Sequence, residues 1–280
     1  MSNVILISDL HLSPTHGFFW ENFCHVRDAI NAAPPELVIV NGDLCINGAD
    51  SDAEMAFAGQ ALQGLDSAWR ALPGNHDVGD EPPGQDPNQI IDELRLARWN
   101  RVFEIDRFDM RVGVWRLLGV NAQLFGSGLP EEEAQFEWLN DCLLETGENV
   151  ALFLHKPLFL EIAAEDKPTL ASMNPAPRAR LLDLVRRSSV KLVVSGHLHS
   201  HRDVTLDGVR YIWAPATSFV HGGRWGSVPM IAGLGFDFTQ PEVGVELIHF
   251  PGLVTYDLDE MKGHGRYKFL RDMPACPPNV

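Results

Sequence analysis

Five short stretches carry residues that hold metals and move protons: Asp9-Leu10-His11, Asn41-Gly42-Asp43, Gly74-Asn75-His76-Asp77, Leu154-His155 and Gly196-His197-Leu198-His199. They contain five of the chain's 11 histidines. Carboxylate oxygens and imidazole nitrogens without a thiolate suit Mn, Fe(II) or Zn better than Ca or Mg. The set is large enough for two divalent ions, with Asp43 the natural bridge because a carboxylate has two oxygens. Two ions close together share a water and lower its pKa toward about 7, which yields a hydroxide nucleophile. Taken singly, Asp-x-His, Gly-Asp or Asn-His is ordinary turn chemistry. In series, carboxylates packed among imidazoles call for cations between them.

The elements that must position these residues are legible just upstream of each. Residues 4–7, 37–40, 69–72, 151–154 and 191–194 form short, mostly apolar runs, the pattern of strands buried on both faces. Helix-like stretches separate them. Residues 20–32 place Phe23, Val26 and Ile30 on one face. Residues 52–65 are Ala-rich, 88–99 follow Pro87 as a first-turn residue, 131–145 open with three acids suited to a helix N-terminus, and 177–187 carry Leu181, Leu182 and Val185 on one side. This alternation predicts an α/β layer fold. Ligands of open α/β sheets bind at the carboxyl ends of strands, so the five strand ends should deliver their polar residues to one rim.

Farther along, residues 103–121 predict one or two strands, and 204–212 a hairpin turning at Asp207-Gly208. Residues 230–238 and 243–250 predict two further antiparallel strands. The domain is expected to span residues 1–250. Residues 251–280 read as an extended tail, available as a lid or as a contact in a homo-oligomer. Residues 80–87, rich in Glu, Pro and Gly, read as a loop.

The order and separations of Asp9-x-His11, Gly42-Asp43, Gly74-Asn75-His76-Asp77, His155 and Gly196-His197-x-His199 resemble the calcineurin-like metallophosphoesterase superfamily. The likeness covers roughly residues 1–200, and Ala214-Pro215-Ala216 extends it. The single histidine before Pro157, and Gly119-Val120-Asn121 ahead of a Glu-rich helix ending in Trp138-Leu139, look most similar to the bacterial class III cyclic-nucleotide and glycerophosphodiester phosphodiesterases. There the segment at 155 usually reads His-His-Pro. Here it reads Leu154-His155-Lys156-Pro157, so the first histidine is absent.

The resemblance implies a four-layer α/β/β/α sandwich, two mixed sheets flanked by helices. It implies Asp9, His11, Asp43 and His199 around one divalent ion, and Asp43, Asn75, His155 and His197 around a second. The ions would be Mn, Fe or Zn. His76, not needed as a ligand, is expected to protonate the leaving alkoxide or stabilise its charge, and Asp77 to orient it or to serve only as a cap or turn residue. Asn75, His76 and His221 are expected to touch substrate. The expected reaction is hydrolysis of a small organic phosphodiester of cyclic-nucleotide or glycerophosphodiester type. The alternative is a phosphomonoesterase, a nucleotide or protein phosphatase. Protein phosphatases of this superfamily usually carry an Arg before Gly-Asn-His, where this chain has Pro73.

Other residues admit two uses each. His16, Phe18, Phe19 and Trp20 could line a pocket or fill the core. His201 could support the ligands or sit in solvent. Arg224 and Trp225 share a Gly-rich loop with His221, and Lys156 could assist phosphate binding or point to water.

With 38 acidic and 22 basic side chains, the 280-residue chain has a net charge of −16 and a pI near 5.0. That balance disfavours nucleic acid and anionic membranes as partners. It does not disfavour a small phosphate ester, because two divalent ions would outweigh Asp9 and Asp43 locally. No apolar run approaches the roughly 20 residues of a membrane span. Nor does the N-terminus read as a secretory signal. The four cysteines form no C-x-x-C pair, as expected for reduced thiols in a cytoplasmic protein.

Overall fold

The computed structural model describes residues 3–84, 86–144 and 147–257. Strand β1 (Val4–Ile7) shows why the apolar runs are continuous. Side chains alternate across a strand, and here both faces are buried. Val4 and Leu6 pack between two sheets. Ile5 and Ile7 pack beneath helices on the outside. Burying one such aliphatic side chain contributes roughly 1.5–3 kcal/mol relative to exposure.

Helices α1 (Trp20–Ala32) and α2 (Asp52–Leu62) carry the chain from β1 to β2 (Leu37–Asn41) and on to β3 (Ala68–Leu72), all three strands parallel. Ser51 caps α2 by accepting the Glu54 N–H at 3.2 Å. After β3 come a single turn α3 (Asn75–Val78), then α4 (Glu93–Phe103), the hairpin β4 (Phe108–Val112) and β5 (Trp115–Gly119), and α5 (Pro130–Leu144). The chain continues through β6 (Asn149–Phe153), α6 (Pro175–Arg186), β7 (Val190–Ser195), β8 (Ser200–Leu206) and β9 (Val209–Trp213). It closes with β10 (Phe219–Val220), β11 (Val228–Pro229), β12 (Gly233–Asp237), β13 (Gly244–Ile248) and β14 (Tyr256–Asp257).

The strands form two mixed sheets ordered β13-β12-β1-β2-β3 and β11-β8-β9-β7-β6-β5-β4. Leu6, Ile39 and Phe236 of one sheet meet Leu117, Phe153 and Val194 of the other in an apolar core. Outside the first sheet, Phe23, Val26, Met55, Leu62 and Trp99 cover Val38 and Val40. Outside the second, Phe136, Leu139, Leu181 and Val185 cover Leu152 and Val193. The expected four-layer α/β/β/α sandwich is therefore present. The β8–β9 hairpin turns at Asp207-Gly208 with φ of 51° and 80°, the two left-handed residues a tight hairpin requires.

Helix α4 departs from the expected 88–99. It begins at Glu93 because Asp92 is its cap, accepting the Arg95 N–H at 2.8 Å. Residues upstream are held instead by a bridge between Asp80 and Ile90. At the other end, β14 pairs in parallel with β10, so the start of the expected tail packs on the domain. The rest of that tail, and its expected role as lid or oligomer contact, lies outside the described residues. No described helix is long and apolar enough to cross a membrane.

Candidate metal centre

The carboxyl ends of β1, β2, β3, β6 and β7 converge, bringing the five polar stretches to one rim from both sheets. The turns there are tight enough to force left-handed backbone. Asp9, His11, Asp43, His197 and His199 have φ of 56°, 48°, 51°, 72° and 50°. Among the described residues only Glu104, Asp207 and Trp225 share that state without being glycine. Left-handed backbone costs roughly 1–2 kcal/mol per residue and persists where the surroundings fix it. Here they do. The Asp9 and His11 N–H groups donate to the Gly42 and Asp43 carbonyls, each at 3.0 Å, and Ser218 Oγ donates to the Asp9 carbonyl at 2.6 Å.

Two motif glycines are explained by close approach. A Cβ on Gly42 would lie 2.3 Å from His155 Nδ1, and one on Gly74 only 2.1 Å from Asp43 Oδ1.

The candidate ligand atoms fall into three overlapping groups, two of which contain Asp43. Asp9, His11 and His199 form the first: His199 Nε2 lies 3.3 Å from Asp9 Oδ1 and 3.3 Å from His11 Nε2. Asp43, His155 and His197 form the second, with His155 Nε2 3.2 Å from Asp43 Oδ2. Asp43 Oδ2 also lies 3.8 Å from His11 Nε2. The other oxygen, Oδ1, accepts the His76 N–H at 2.9 Å. Where the sequence suggested one Asp43 oxygen for each ion, a single oxygen faces both groups.

The residues present fit divalent cations. Asn75 Oδ1 is buried without a hydrogen-bond partner, a costly state unless something else satisfies it. The histidine tautomers agree. His155 Nδ1 donates to the Asn41 carbonyl and His199 Nδ1 to the Phe219 carbonyl, both at 2.8 Å, which turns Nε2 of each toward the site. His197 is reversed: its Nε2 donates to the Leu170 carbonyl at 2.9 Å, leaving Nδ1 for a ligand. Such outer hydrogen bonds are what fix a metal-binding imidazole.

Burial and the close approach of opposite charges shift the titration of these groups. Burial opposes charge on Asp43, yet His155 and His76 hold its pKa well below the ordinary value. Burial likewise disfavours charge on His155, but the Asp43 carboxylate outweighs it and raises that pKa to about 9. Asp9 is lowered to about 2, the attraction of His199 overcoming burial. His197 is pushed down to about 3 by burial and by the neighbouring His155 charge.

A cavity of about 520 Å³ opens over these atoms. Asn75, His76 and His221 all line it, as do Arg224 and Trp225. His76 Nδ1 meets the Ile46 carbonyl at 2.7 Å, and its Nε2 lies 4.0 Å from Asp43 Oδ2. Nε2 of His76 also groups with His11 and Asp43 as a third potential ligand set.

Asp77 does not orient the His76 ring. Its carboxylate accepts the N–H groups of Leu44, Cys45 and Gly74 at 2.9–3.1 Å, tying the β2 and β3 turns together. Burial first, and the Asp43 charge second, raise its pKa to about 7. Lys156 neither reaches the cavity nor points to water; it is buried against Glu81. Phe19 lines the cavity, whereas Trp20 packs on Phe23 and Phe57. His201 donates to the Trp213 carbonyl at 3.1 Å, away from the ligands. The supporting residues Ser8, Asn41, Ser218 and Phe219 were missed. Only Ser8 and Asn41, beside Asp9 and Gly42, carried a signal in their position.

The model of the calcineurin-like phosphoesterase family matches residues 2–201. Among curated proteins, the serine/threonine-protein phosphatase CPPED1 of Pongo abelii is 30% identical over 159 residues, 52% of this chain and 48% of the relative. The matched region thus spans about half of that relative's length. The 3',5'-cyclic adenosine monophosphate phosphodiesterase CpdA of Escherichia coli (strain K12) is 27% identical over 203 residues, 71% of this chain and 67% of the relative. Among solved structures, a dimetal phosphatase from Danio rerio superposes with a TM-score of 0.59 at 14% identity, covering 88% of this chain and 95% of that one. The purple acid phosphatase PPD1 of yellow lupin gives 0.62 at 11% identity, covering 99% of this chain and 56% of that one. These two structural likenesses concern the fold.

Proposed function

This chain belongs to the calcineurin-like phosphoesterase family, and from that premise we propose that it hydrolyses a small organic phosphodiester at a two-ion centre. Asp9, His11, Asp43 and His199 would hold one ion, and Asp43, Asn75, His155 and His197 the other. The observation that carries this reading is Asp43 Oδ2, set between two groups of buried donors under an open cavity. Divalent ions bound there supply Lewis acidity and a nucleophile at neutral pH. Mn, Fe or Zn suits the oxygen and nitrogen donors.

The chain's own residues do the rest. With Nδ1 held by the Ile46 carbonyl, His76 turns Nε2 to the cavity, the position of a general acid for the leaving alkoxide. Asp77 serves as a positioning residue by fixing the turns that carry Asp43 and Asn75. His221 and Arg224 offer positive or polar contacts to the substrate on the far side. Phe19, Ile46, Leu170, Leu198, Phe219 and Trp225 supply an apolar wall. Such a wall suits an ester carrying an organic group on either side of phosphorus. The net charge of −16 favours a small substrate over a polyanion.

A phosphomonoesterase is the second reading, favoured by the similarity to CPPED1. An activity panel with added Mn²⁺ separates the two. It compares bis(p-nitrophenyl) phosphate, p-nitrophenyl phosphate, cyclic nucleotides and glycerophosphodiesters. Faster diester turnover is expected, and faster monoester turnover would overturn the first reading.

A further inference from the structure

The second ligand group draws on both sheets. Asn75 follows β3 of one, and His155 follows β6 of the other. A buried ion pair spans the same gap. Lys156, the residue after His155, places Nζ 2.7 and 2.8 Å from the two carboxylate oxygens of Glu81, three residues past α3. Both side chains are almost fully buried, at 1% and 3% exposure. Gln123 extends the contact. With its amide turned to satisfy both neighbours, its nitrogen donates to Glu81 Oε2 at 2.9 Å and its oxygen accepts the Asn75 N–H at 3.3 Å. A continuous path thus runs from the backbone of His155, through Lys156, Glu81 and Gln123, to the backbone of Asn75.

A pair this deep is a poor device for stability alone, because desolvating both ions offsets most of their attraction. It does fix geometry strictly, since either charge left alone in the interior is costly. Neither residue touches the cavity wall.

We propose that Lys156 and Glu81, relayed by Gln123, are positioning residues that set the separation of Asn75 and His155 and so tune the affinity of the second ion. This rests on the assignment of Asn75 and His155 to one ion.

The test uses the full chain with Lys156→Met, Glu81→Leu and the double variant, which replaces the pair by apolar groups and keeps the fold testable if the singles fail to fold. Stepwise Mn²⁺ affinities are measured by calorimetry, with melting temperature alongside. Arg116→Met is the control, since it breaks the pair between buried Arg116 and exposed Asp109 in the β4–β5 hairpin, remote from the site. In the double variant the second ion should bind about 10–100-fold more weakly, the usual effect of losing an outer-shell partner. The first ion should bind as in the wild type. Wild-type affinity for both ions in the double variant would overturn the proposal, as would an equal selective loss in Arg116→Met. A wild-type chain that binds one ion only would instead overturn the underlying assignment.

Discussion

The two ligand groups that meet at Asp43 Oδ2 are held by different means. In the first, Asp9, His11 and His199 all sit in left-handed backbone, fixed by Ser218 behind Asp9 and by the Phe219 ring, 4.1 Å from the His199 ring. Its geometry is stored in the main chain. In the second, His197 shares that backbone state but Asn75 and His155 do not; His155 leans on the Asn41 carbonyl, and side chains brace the rest through Gln123 and the Lys156–Glu81 pair. The strained half should depend on the bonds that hold its turns, Ser218 to the Asp9 carbonyl among them. The braced half should loosen gradually.

The largest effect is expected at the oxygen both halves share. Asp43→Asn should release both ions and reduce turnover to background, read by metal content and rate. Retention of either ion at full occupancy would show the halves to be independent. His76→Ala should keep both ions and lower kcat by about 10²–10⁴-fold. Loss of an ion instead would assign His76 to the ligands, as its position near His11 and Asp43 also allows.

Ser218→Ala removes the bond behind Asp9 and should weaken the first ion by about tenfold, near the lower end for outer-shell losses, with the second unchanged. Equal weakening of both would erase the distinction between the halves. A smaller, graded effect comes from pH. The Asp43 carboxylate raises the His155 pKa to about 9, so an ion binding there must displace a proton below that pH. Affinity for the second ion should therefore rise by about tenfold per pH unit toward 9 and then level off. A pH-independent affinity between 6 and 8 would contradict the protonated His155. The smallest effect is expected at the cavity rim, where His221→Ala should raise KM several-fold with kcat nearly unchanged.

How much the sequence revealed follows the same division. Most of the strand runs were legible because both faces are buried, which leaves no polar alternation to confuse; β3, buried only at Ala71 and Leu72, is the exception. The candidate ligands were legible because turns at strand ends admit few residue types, and Asp, Asn and His repeated there. The braces were not. Glu81 sits in a Pro- and Gly-rich stretch that reads as loop, and Lys156 reads as a phosphate contact or a solvent-facing charge. Only the fold brings them within 2.7 Å of each other. Asp77 admitted two readings, a partner for the His76 ring or a cap and turn residue, and its carboxylate accepts three backbone N–H groups as the second requires. The start of α4 was misjudged because Pro87 outweighed the stronger cap, Asp92.

The central claim is that two ions share Asp43. Crystals of the chain grown with Mn²⁺ and measured at the manganese absorption edge test it most directly. Two anomalous peaks should appear, one on each side of Asp43 Oδ2, with Asp9, His11 and His199 around one and Asn75, His155 and His197 around the other. A single peak, or a pair that leaves Asp43 outside both coordination spheres, would contradict the account.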